Sequence, residues 1–343
     1  IWGPSLDTFV MDYSYGANQV AFVDLELPET GDYAIFVSED NGDQTDSYFL
    51  SLQCRRDVLA EADTIKYDTL LMDSVNPYGD MDAFIFSGIS ADLVTLRLMP
   101  MTNNNFNARL EIWGPSLDTF VMDYSYGANQ VAFVDLELPE TGDYAIFVSE
   151  DNGNQTDSYF LSLQCRRDVL AEAGLIGCDS LLDDSINPYG DIDAFVFCSD
   201  MGNLITLSVQ PMTNNNFNAR LEIWGPLLDT FVMDYSYGAN QVAFVDLGLP
   251  ETGNYAVFVS EDNGDQIDSY RLSLECYLCG DVNGNGSVNI LDVTYLISYL
   301  YKGGPAPIHE KAADVNNSGG INLLDVTYLI SYLYKGGPEP DCS

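Results

Sequence analysis

The sequence predicts a mainly β protein in which β-sandwich modules stand in tandem and a small α-helical domain closes the chain. Three observations predict it: a long internal repeat, period-2 alternation within each repeat, and two duplicated polar loops that each precede an amphipathic segment. The chain has 343 residues, of which 46% are hydrophobic, so it can form several domains with cores of their own.

The formal net charge is −41. Such a charge repels phosphate and therefore argues against nucleic acid and anionic membranes as partners. It favours hard divalent cations, which prefer carboxylate oxygen, although acidity can also serve solubility alone. No stretch reaches the roughly 18 apolar residues of a membrane span. No signal peptide is visible, and Ile1 falls in the middle of a repeat, so we expect the gene product to begin upstream.

The repeat has a period of 111 residues. The tripeptide Ile-Trp-Gly begins at Ile1, Ile112 and Ile223, and residues 1–62 match residues 112–173 at every position but one. We therefore predict complete modules at 55–165 and 166–276. Residues 1–54 correspond only to the C-terminal half of a module. Alone, that half would expose a sheet edge, so either upstream residues or another chain must complete it.

Each repeat reads as about eight short strands. Val94, Leu96 and Leu98 alternate with polar residues, which is the pattern of a strand with one buried face. Clusters of Asn, Gly and Asp separate such runs, and no long helical pattern intervenes. A two-sheet sandwich is the expected fold. Phe160 becomes Arg271 in the next copy, so this position should face outward, because a core would not accept arginine.

A family resemblance supports this fold. The segment 76–86, repeated at 187–197, contains Gly-Asp-x-Asp-x-Phe-x-Phe and resembles bacterial pre-peptidase C-terminal domains. That resemblance implies jelly-roll-like sandwiches that serve secreted proteins as accessory, binding or processing modules. It also implies candidate calcium ligands near the early strands, although turn capping explains the same residues equally well. These candidates are Asp80, Asp82, Asp191 and Asp193, with the weaker loop 150–153 and Asp157.

Two loops near the C-terminus have the spacing of calcium sites. A twelve-residue calcium loop supplies oxygens from positions 1, 3, 5, 7, 9 and 12, and glycine takes the positive φ at position 6. Gly286 and Gly319 occupy position 6, and apolar Val288 and Ile321 at position 8 should pack the loops together. The candidate ligands are Asp281, Asn283, Asn285, Ser287, Asn289 and Asp292 in the first loop, and Asp314, Asn316, Ser318, Gly320, Asn322 and Asp325 in the second.

The loops also predict what kind of domain holds them. Position 12 is Asp in both, and each loop has two carboxylates, so we expect weak affinity, about 10⁻⁶ to 10⁻³ M. Only four residues separate the last sandwich from the first loop, which leaves no room for an entering helix. Exit helices are predicted near residues 291–301 and 324–334, each ended by Gly-Gly-Pro.

A loop followed by one helix, twice, resembles a type I dockerin across residues 279–343. The resemblance implies two bound Ca²⁺ ions and a protein partner of the cohesin type. The partner could equally be a module of the same array or a neighbouring subunit. The candidate ligands in the sandwiches would bind further Ca²⁺ ions.

The seven cysteines indicate an oxidising, extracellular setting if they form disulfides. Cys178 and Cys198 occur only in the third copy, so we expect them to bond to each other. Cys279 and Cys342 bracket the calcium loops and should clasp the ends of that domain. One cysteine recurs after the last strand of every copy, with its pairing left open: Cys54, Cys165 and Cys276.

Catalysis is not expected. The single histidine, His309, lies between the calcium loops, so the sandwiches lack the histidine of a Ser-His-Asp site. Our first hypothesis is a secreted structural or adhesive protein, a subunit of an extracellular fibre or surface array. The alternative is the accessory C-terminal region of a secreted hydrolase, docked to a cohesin-like partner. A weaker alternative is carbohydrate or matrix binding through Tyr124 and Tyr126, and Asn154 is a weak glycan acceptor.

Overall fold

The computed structural model describes residues 1–5, 10–15, 20–116, 120–128, 130–213, 216–227, 231–237 and 241–342. The chain divides into two compact units, Ile1–Arg166 and Arg167–Ser343, and each is described by itself. The fold is mainly β, with 39% strand and 13% helix, as the sequence predicts. Among the described residues, no helix is both long and apolar enough to cross a membrane.

The first unit contains one complete sandwich. A five-stranded sheet has the order β1-β3-β8-β5-β6, and a four-stranded sheet has the order β2-β9-β4-β7. A short helix, α1, precedes them. The elements are α1 (Arg55–Ala60), β1 (Asp63–Thr64), β2 (Thr69–Val75), β3 (Met81–Gly88), β4 (Leu93–Pro100), β5 (Ala108–Trp113), β6 (Phe120–Tyr124), β7 (Ala132–Glu137), β8 (Gly142–Glu150) and β9 (Asp157–Cys165).

The core lies between these two sheets, because alternate residues of each strand point inward. Val94, Leu96 and Leu98 of β4 are completely buried there, as predicted. Thr95 and Arg97 on the opposite face are buried as well, so the prediction that only one face of this strand is buried was wrong. Helix α1 packs Val58 and Leu59 on the outer face of the larger sheet. This helix was not predicted, since six residues are too short to show a helical period.

The second unit repeats the sandwich with the same register. Its sheets have the orders β10-β12-β17-β14-β15 and β11-β18-β13-β16. The strand elements, with helix α2, are α2 (Arg166–Ala171), β10 (Gly174–Leu175), β11 (Ser180–Ile186), β12 (Ile192–Ser199), β13 (Asn203–Pro211), β14 (Ala219–Trp224), β15 (Phe231–Tyr235), β16 (Ala243–Gly248), β17 (Gly253–Glu261) and β18 (Asp268–Leu278).

One cross-strand pair shows how the copies diverged. In the first sandwich Met72 of β2 lies opposite Phe160 of β9. In the second, Asp183 and Arg271 occupy the same places and form an exposed ion pair, with Nε 2.7 Å from Oδ1. Phe160 is half-buried and Arg271 is exposed. An apolar pair and an ion pair are both tolerated here because the position faces outward.

Residues 1–54 differ from the expected half-sandwich. In the described part of this segment the only ladder contact is the isolated bridge between Trp2 and Ala34. In the complete sandwich, β8 lies between β3 and β5, and β9 lies between β2 and β4. The segment contains no copies of β2, β3 or β4, so its copies of β8 and β9 lack neighbours for a ladder. Its assignment as half of a module stays a prediction.

The disulfides correct one prediction and confirm another. Cys178 bonds to Cys276, with Cα atoms 5.3 Å apart, and not to Cys198, which carries an exposed free thiol. Cys276 ends up beside Cys178 because β18 pairs with β11. Cys279 bonds to Cys342, as expected from their positions around the calcium loops.

Candidate metal centre

Three helices build the C-terminal domain: α3 (Ile290–Lys302), α4 (Glu310–Ala313) and α5 (Leu323–Lys335). The two long helices agree with the predicted exit helices to within one residue at each end. They pack on a common core of buried side chains, and Val288 and Ile321 also pack against it. The core residues are Val282, Val293, Leu296, Ala313, Val315, Val326 and Leu329.

The start of each helix fixes the last two candidate ligands of each loop. Asn289 is the N-cap of α3, and its side chain accepts a hydrogen bond from the Leu291 amide at 2.8 Å. Asp292 reaches back and accepts from the Asn289 amide at 2.8 Å. Asn322 and Asp325 form the same capping box on α5. Positions 9 and 12 are thus held by helix capping, independently of any ion.

The first ligand position is fixed by backbone amides. Asp281 accepts from Asn285 at 3.0 Å and from Gly286 at 2.6 Å. Asp314 makes the equivalent contacts in the second loop, with Ser318 at 3.0 Å and Gly319 at 2.7 Å. Gly286 and Gly319 have φ of 81° and 86°, the left-handed conformation that position 6 requires.

The backbone carbonyl at position 7 accepts a hydrogen bond from the asparagine side chain at position 9 in both loops. The side-chain amide of Asn289 donates to the Ser287 carbonyl at 3.2 Å, and the side-chain amide of Asn322 donates to the Gly320 carbonyl at 2.8 Å. At position 5 of the first loop, the side chain of Asn285 accepts from the Ser287 amide at 3.1 Å. Hydrogen bonds therefore hold the side chains at positions 1, 9 and 12 and the carbonyl at position 7 within each short turn, and the full set of six ligands stays a prediction.

The second loop offers the strongest fit to a cation. Within the part of the chain that the structure describes, Asn316 Oδ1 and Asp325 Oδ1 are buried without a hydrogen-bond donor. Buried acceptors are normally satisfied, so two such oxygens at ligand positions 3 and 12 fit a bound ion. In the first loop, Asn283 Nδ2 donates to Asp292 Oδ1 at 2.6 Å. A half-turn of this amide would bring its oxygen to the same place.

The electrostatics of the loops also favour a cation. Burial raises the pKa of Asp292, and the nearby carboxylate of Asp281 raises it further. Burial likewise raises the pKa of Asp325, with a contribution from Asp314. At Asp314, burial alone would raise the pKa, but hydrogen bonds from Ser318 and Gly319 outweigh it and lower the pKa. A divalent ion between such carboxylates would offset their repulsion.

The sandwich carboxylates behave differently. Asp80 accepts hydrogen bonds from the amides of Asn76 and Met81, both at 3.0 Å, which is turn capping. Asp82 accepts from the hydroxyl of Tyr159 at 2.8 Å. Asp191 and Asp193 repeat these contacts in the second sandwich. Their hydrogen-bonding capacity is largely used within the protein, so turn capping explains them better, and sandwich calcium sites stay a prediction.

In the loop 150–153 the carboxylates also accept hydrogen bonds within the protein, but Glu150 Oε1 is buried without a hydrogen-bond donor among the described residues. Glu150 accepts from the amides of Asn152 at 3.1 Å and Asn154 at 2.9 Å. Asp157 accepts from the Thr102 hydroxyl at 2.6 Å and from the Asn103 amide at 2.9 Å. These contacts fasten neighbouring loops at one end of the sandwich.

Asp193 predicts a pH effect on stability. Burial raises its pKa to about 7, against the hydrogen bond from Tyr270 and with help from Asp191 and Asp184. The folded state therefore keeps a proton that the unfolded chain has released. Raising the pH from about 4 to about 7 should lower the free energy of unfolding of this sandwich. Asp193→Asn keeps an acceptor for Tyr270 and removes the titration, so urea midpoints should fall less over this range.

Asp200→Asn, at an exposed aspartate of the same sandwich, is the matched control. It should follow the pH profile of the unaltered chain. If Asp193→Asn follows that profile too, this carboxyl does not carry the expected proton linkage.

Sequence reasoning missed the residues that join this domain to the last sandwich. Lys311 of α4 pairs with Asp246 of β16, and the ring of His309 stacks on Tyr277 with centroids 5.4 Å apart. A comparison of the repeats indicates this contact face, since Arg166 of one copy becomes Tyr277 in the next. The side chain of His309 is only 16% exposed because it lies against Tyr277.

Comparison with known proteins agrees with the loop geometry. Residues 279–334 match the family described as Dockerin type I domain. Solved structures similar to this chain include the pre-peptidase C-terminal domain of collagenase from Bacillus anthracis, with 17% identity, 30% of this chain and 94% of that chain covered, and a TM-score of 0.26. Another is the periplasmic inhibitor of g-type lysozyme, PliG, from Aeromonas hydrophila, with 15% identity, 31% and 96% coverage, and a TM-score of 0.24. No curated protein sequence matches.

Type I dockerin domains bind calcium and dock to cohesin domains of partner proteins. The matched segment contains both candidate loops and both long helices, in the order loop, helix, loop, helix. Residues 279–334 of this chain are a type I dockerin domain.

Proposed function

We propose that this chain is a non-catalytic part of a secreted protein, and that its dockerin domain holds two Ca²⁺ ions and docks a cohesin-type partner. The observation that carries the proposal is the pair of equivalent loops on one core, with the unsatisfied Asn316 and Asp325 oxygens in the second. The proposed ligands are Asp281, Asn283, Asn285, Ser287, Asn289 and Asp292, and Asp314, Asn316, Ser318, Gly320, Asn322 and Asp325.

The helix starts support a docking role. Ile290 and Leu291 are exposed at the start of α3, and Leu323 and Leu324 are exposed at the start of α5. Exposed apolar groups of this size favour contact with a partner protein. They directly follow the N-caps of the loops, so calcium would fix their position. Binding of the partner would therefore depend on calcium.

Capture of a cohesin domain tests this function. We expect the full chain to bind an immobilised type I cohesin in calcium and to be released by EGTA. Leu291→Ala combined with Leu324→Ala should weaken capture without changing calcium uptake measured by calorimetry. Leu181→Ala, at an exposed leucine of the last sandwich, is the control. If the unaltered chain binds no calcium, the proposed function is contradicted.

Two observations support the proposed secretion and the proposed lack of catalysis. The disulfides Cys178–Cys276 and Cys279–Cys342 favour an extracellular location, because cytosolic thiols are kept reduced. The sandwiches contain no histidine, which argues against acyl-transfer chemistry there. We propose that they act as spacers that carry the dockerin.

A second candidate function is a subunit of an extracellular fibre or surface array. The near-identity of residues 1–62 and 112–173 favours it, because stacked copies suit a stalk. Electron microscopy with and without chelator separates the two: ordered filaments that fray in EGTA support a fibre, and single particles support the docked region.

A further inference from the structure

The last sandwich differs from the preceding one at an aspartate that both share. In the first sandwich Asp135 pairs with Arg166, the residue directly after β9, at 3.4 Å. Asp246 is the equivalent aspartate in the last sandwich, but Tyr277 stands where that arginine would be. Lys311 of the dockerin domain pairs with Asp246 instead. The dockerin therefore supplies, through Lys311, the positively charged side chain that this copy has lost.

An aromatic ring beside this aspartate shows the same exchange. In the first sandwich the guanidinium of Arg97 lies 5.1 Å from the ring centroid of Phe133. Arg97 becomes Ser208 in the last sandwich, and Lys311 lies 5.3 Å from the ring centroid of the equivalent Phe244. Two arginines are thus absent from this face, and one lysine of the dockerin takes both of their contacts.

We call the contacts of Lys311 and His309 with the last sandwich the junction, and His309 makes the second of these contacts. It stacks on Tyr277, and its Nε2 lies 3.7 Å from a carboxylate oxygen of Asp179. Asp179 and Tyr277 directly follow Cys178 and Cys276, whose disulfide holds them side by side. The equivalents of these cysteines in the first sandwich are Tyr67 and Cys165. The disulfide, the tyrosine and the missing arginines all belong to the copy that meets the dockerin.

The junction reaches the first calcium loop through the segment 305–309. Pro307 is buried, and Ile308 lies so close to Gly284 of the first loop that a Cβ there would come within 2.5 Å of Ile308 Cδ1. His309, the next residue, is the one that stacks on the sandwich. The equivalent segment after α5 covers the second loop through the bridge between Asn316 and Asp341, and it ends at the disulfide Cys279–Cys342.

We infer that the end face of the last sandwich orders the first calcium loop, so that the calcium affinity of this loop depends on the sandwich. The inference rests on the proposed calcium function. It gives two loops of similar sequence a different dependence on the sandwich. The segment that covers the first loop contacts the sandwich through His309 and leads directly to Lys311, whereas the segment that covers the second loop ends at the disulfide Cys279–Cys342. By thermodynamic reciprocity, calcium in the first loop also tightens the contact between dockerin and sandwich.

Charge reversal at the junction tests this coupling in the full chain. Lys311→Glu opposes the carboxylate of Asp246, and Asp246→Lys in the same chain restores an opposite-charge pair. Lys335→Glu makes the same charge change at the exposed end of α5 and is the matched control. Calcium is titrated while the amide signals of Gly286 and Gly319 report the two loops separately by NMR.

We expect Lys311→Glu to weaken calcium binding at Gly286 by about fivefold or more relative to Lys335→Glu, and to leave Gly319 unchanged. The double variant should recover the affinity at Gly286. If both signals of Lys311→Glu titrate as in the control, the coupling is disproved while the calcium sites stand. If neither glycine responds to calcium in the unaltered chain, the proposed function fails and the coupling fails with it.

Discussion

Withdrawal of calcium is expected to unfold residues 279–342 while both sandwiches remain folded. The main buried cluster of the dockerin has seven hydrophobic side chains, and its two long helices have 13 residues each. Helices of this length are marginal alone, and small domains commonly need a metal or disulfides. A ligand that binds only the folded state at 100 times its dissociation constant stabilises by about 2.7 kcal/mol per site. Two empty loops therefore remove much of the stability of this domain.

Far-ultraviolet circular dichroism in EGTA measures this effect as a loss of helical signal. The melting transition of the sandwiches should stay in place. Asp325→Asn should lower the melting temperature of the dockerin in calcium, because this residue is both a proposed ligand and part of the capping box. Glu339→Gln, a charge-matched change at an exposed side chain outside the two loops, is the control. An unchanged helical signal after EGTA would contradict the prediction, since the disulfide Cys279–Cys342 would then be enough to keep the domain folded.

The dockerin could be predicted closely because its signals are local. The ligands of each loop lie within twelve residues, and each helix begins at an asparagine cap and ends at a glycine with positive φ, Gly303 or Gly336. Such capping signals act over a few residues, so sequence shows them directly. The sandwich fold was likewise visible, because strand alternation is local and three copies repeat it.

Contacts between distant residues were not predictable in this way. The pairing of Cys178 with Cys276 spans 98 residues and depends on the adjacency of β11 and β18. The nearer Cys198 looked like the natural partner because both cysteines are new in that copy. The junction through Lys311 depends on folded geometry too. Comparison of the copies could have indicated it, since Arg97 and Arg166 are lost together as Ser208 and Tyr277.

Replacement of Cys178 by serine is expected to lower the free energy of unfolding of the last sandwich by about 2–5 kcal/mol. The disulfide closes a loop of nearly the whole module, and closing long loops removes the most entropy from the unfolded chain. Denaturant unfolding of the full chain in calcium, followed separately for each sandwich by hydrogen exchange, measures the change. Cys198→Ser is the matched control, because it removes an exposed thiol from the same sandwich. Equal losses from the two variants would contradict the pairing with Cys276.

The first sandwich offers the reciprocal change. Tyr67 and Cys165 occupy the places of Cys178 and Cys276, and the strands beside them share one register: Thr69 lies opposite Leu163, as Ser180 lies opposite Leu274. Tyr67→Cys should therefore form a disulfide with the buried Cys165 on oxidation. Loss of the ring contact of Tyr67 with Phe86 offsets part of the gain. The oxidised variant should be more stable than its own reduced form by about 2–4 kcal/mol, whereas the unaltered first sandwich should show no such difference.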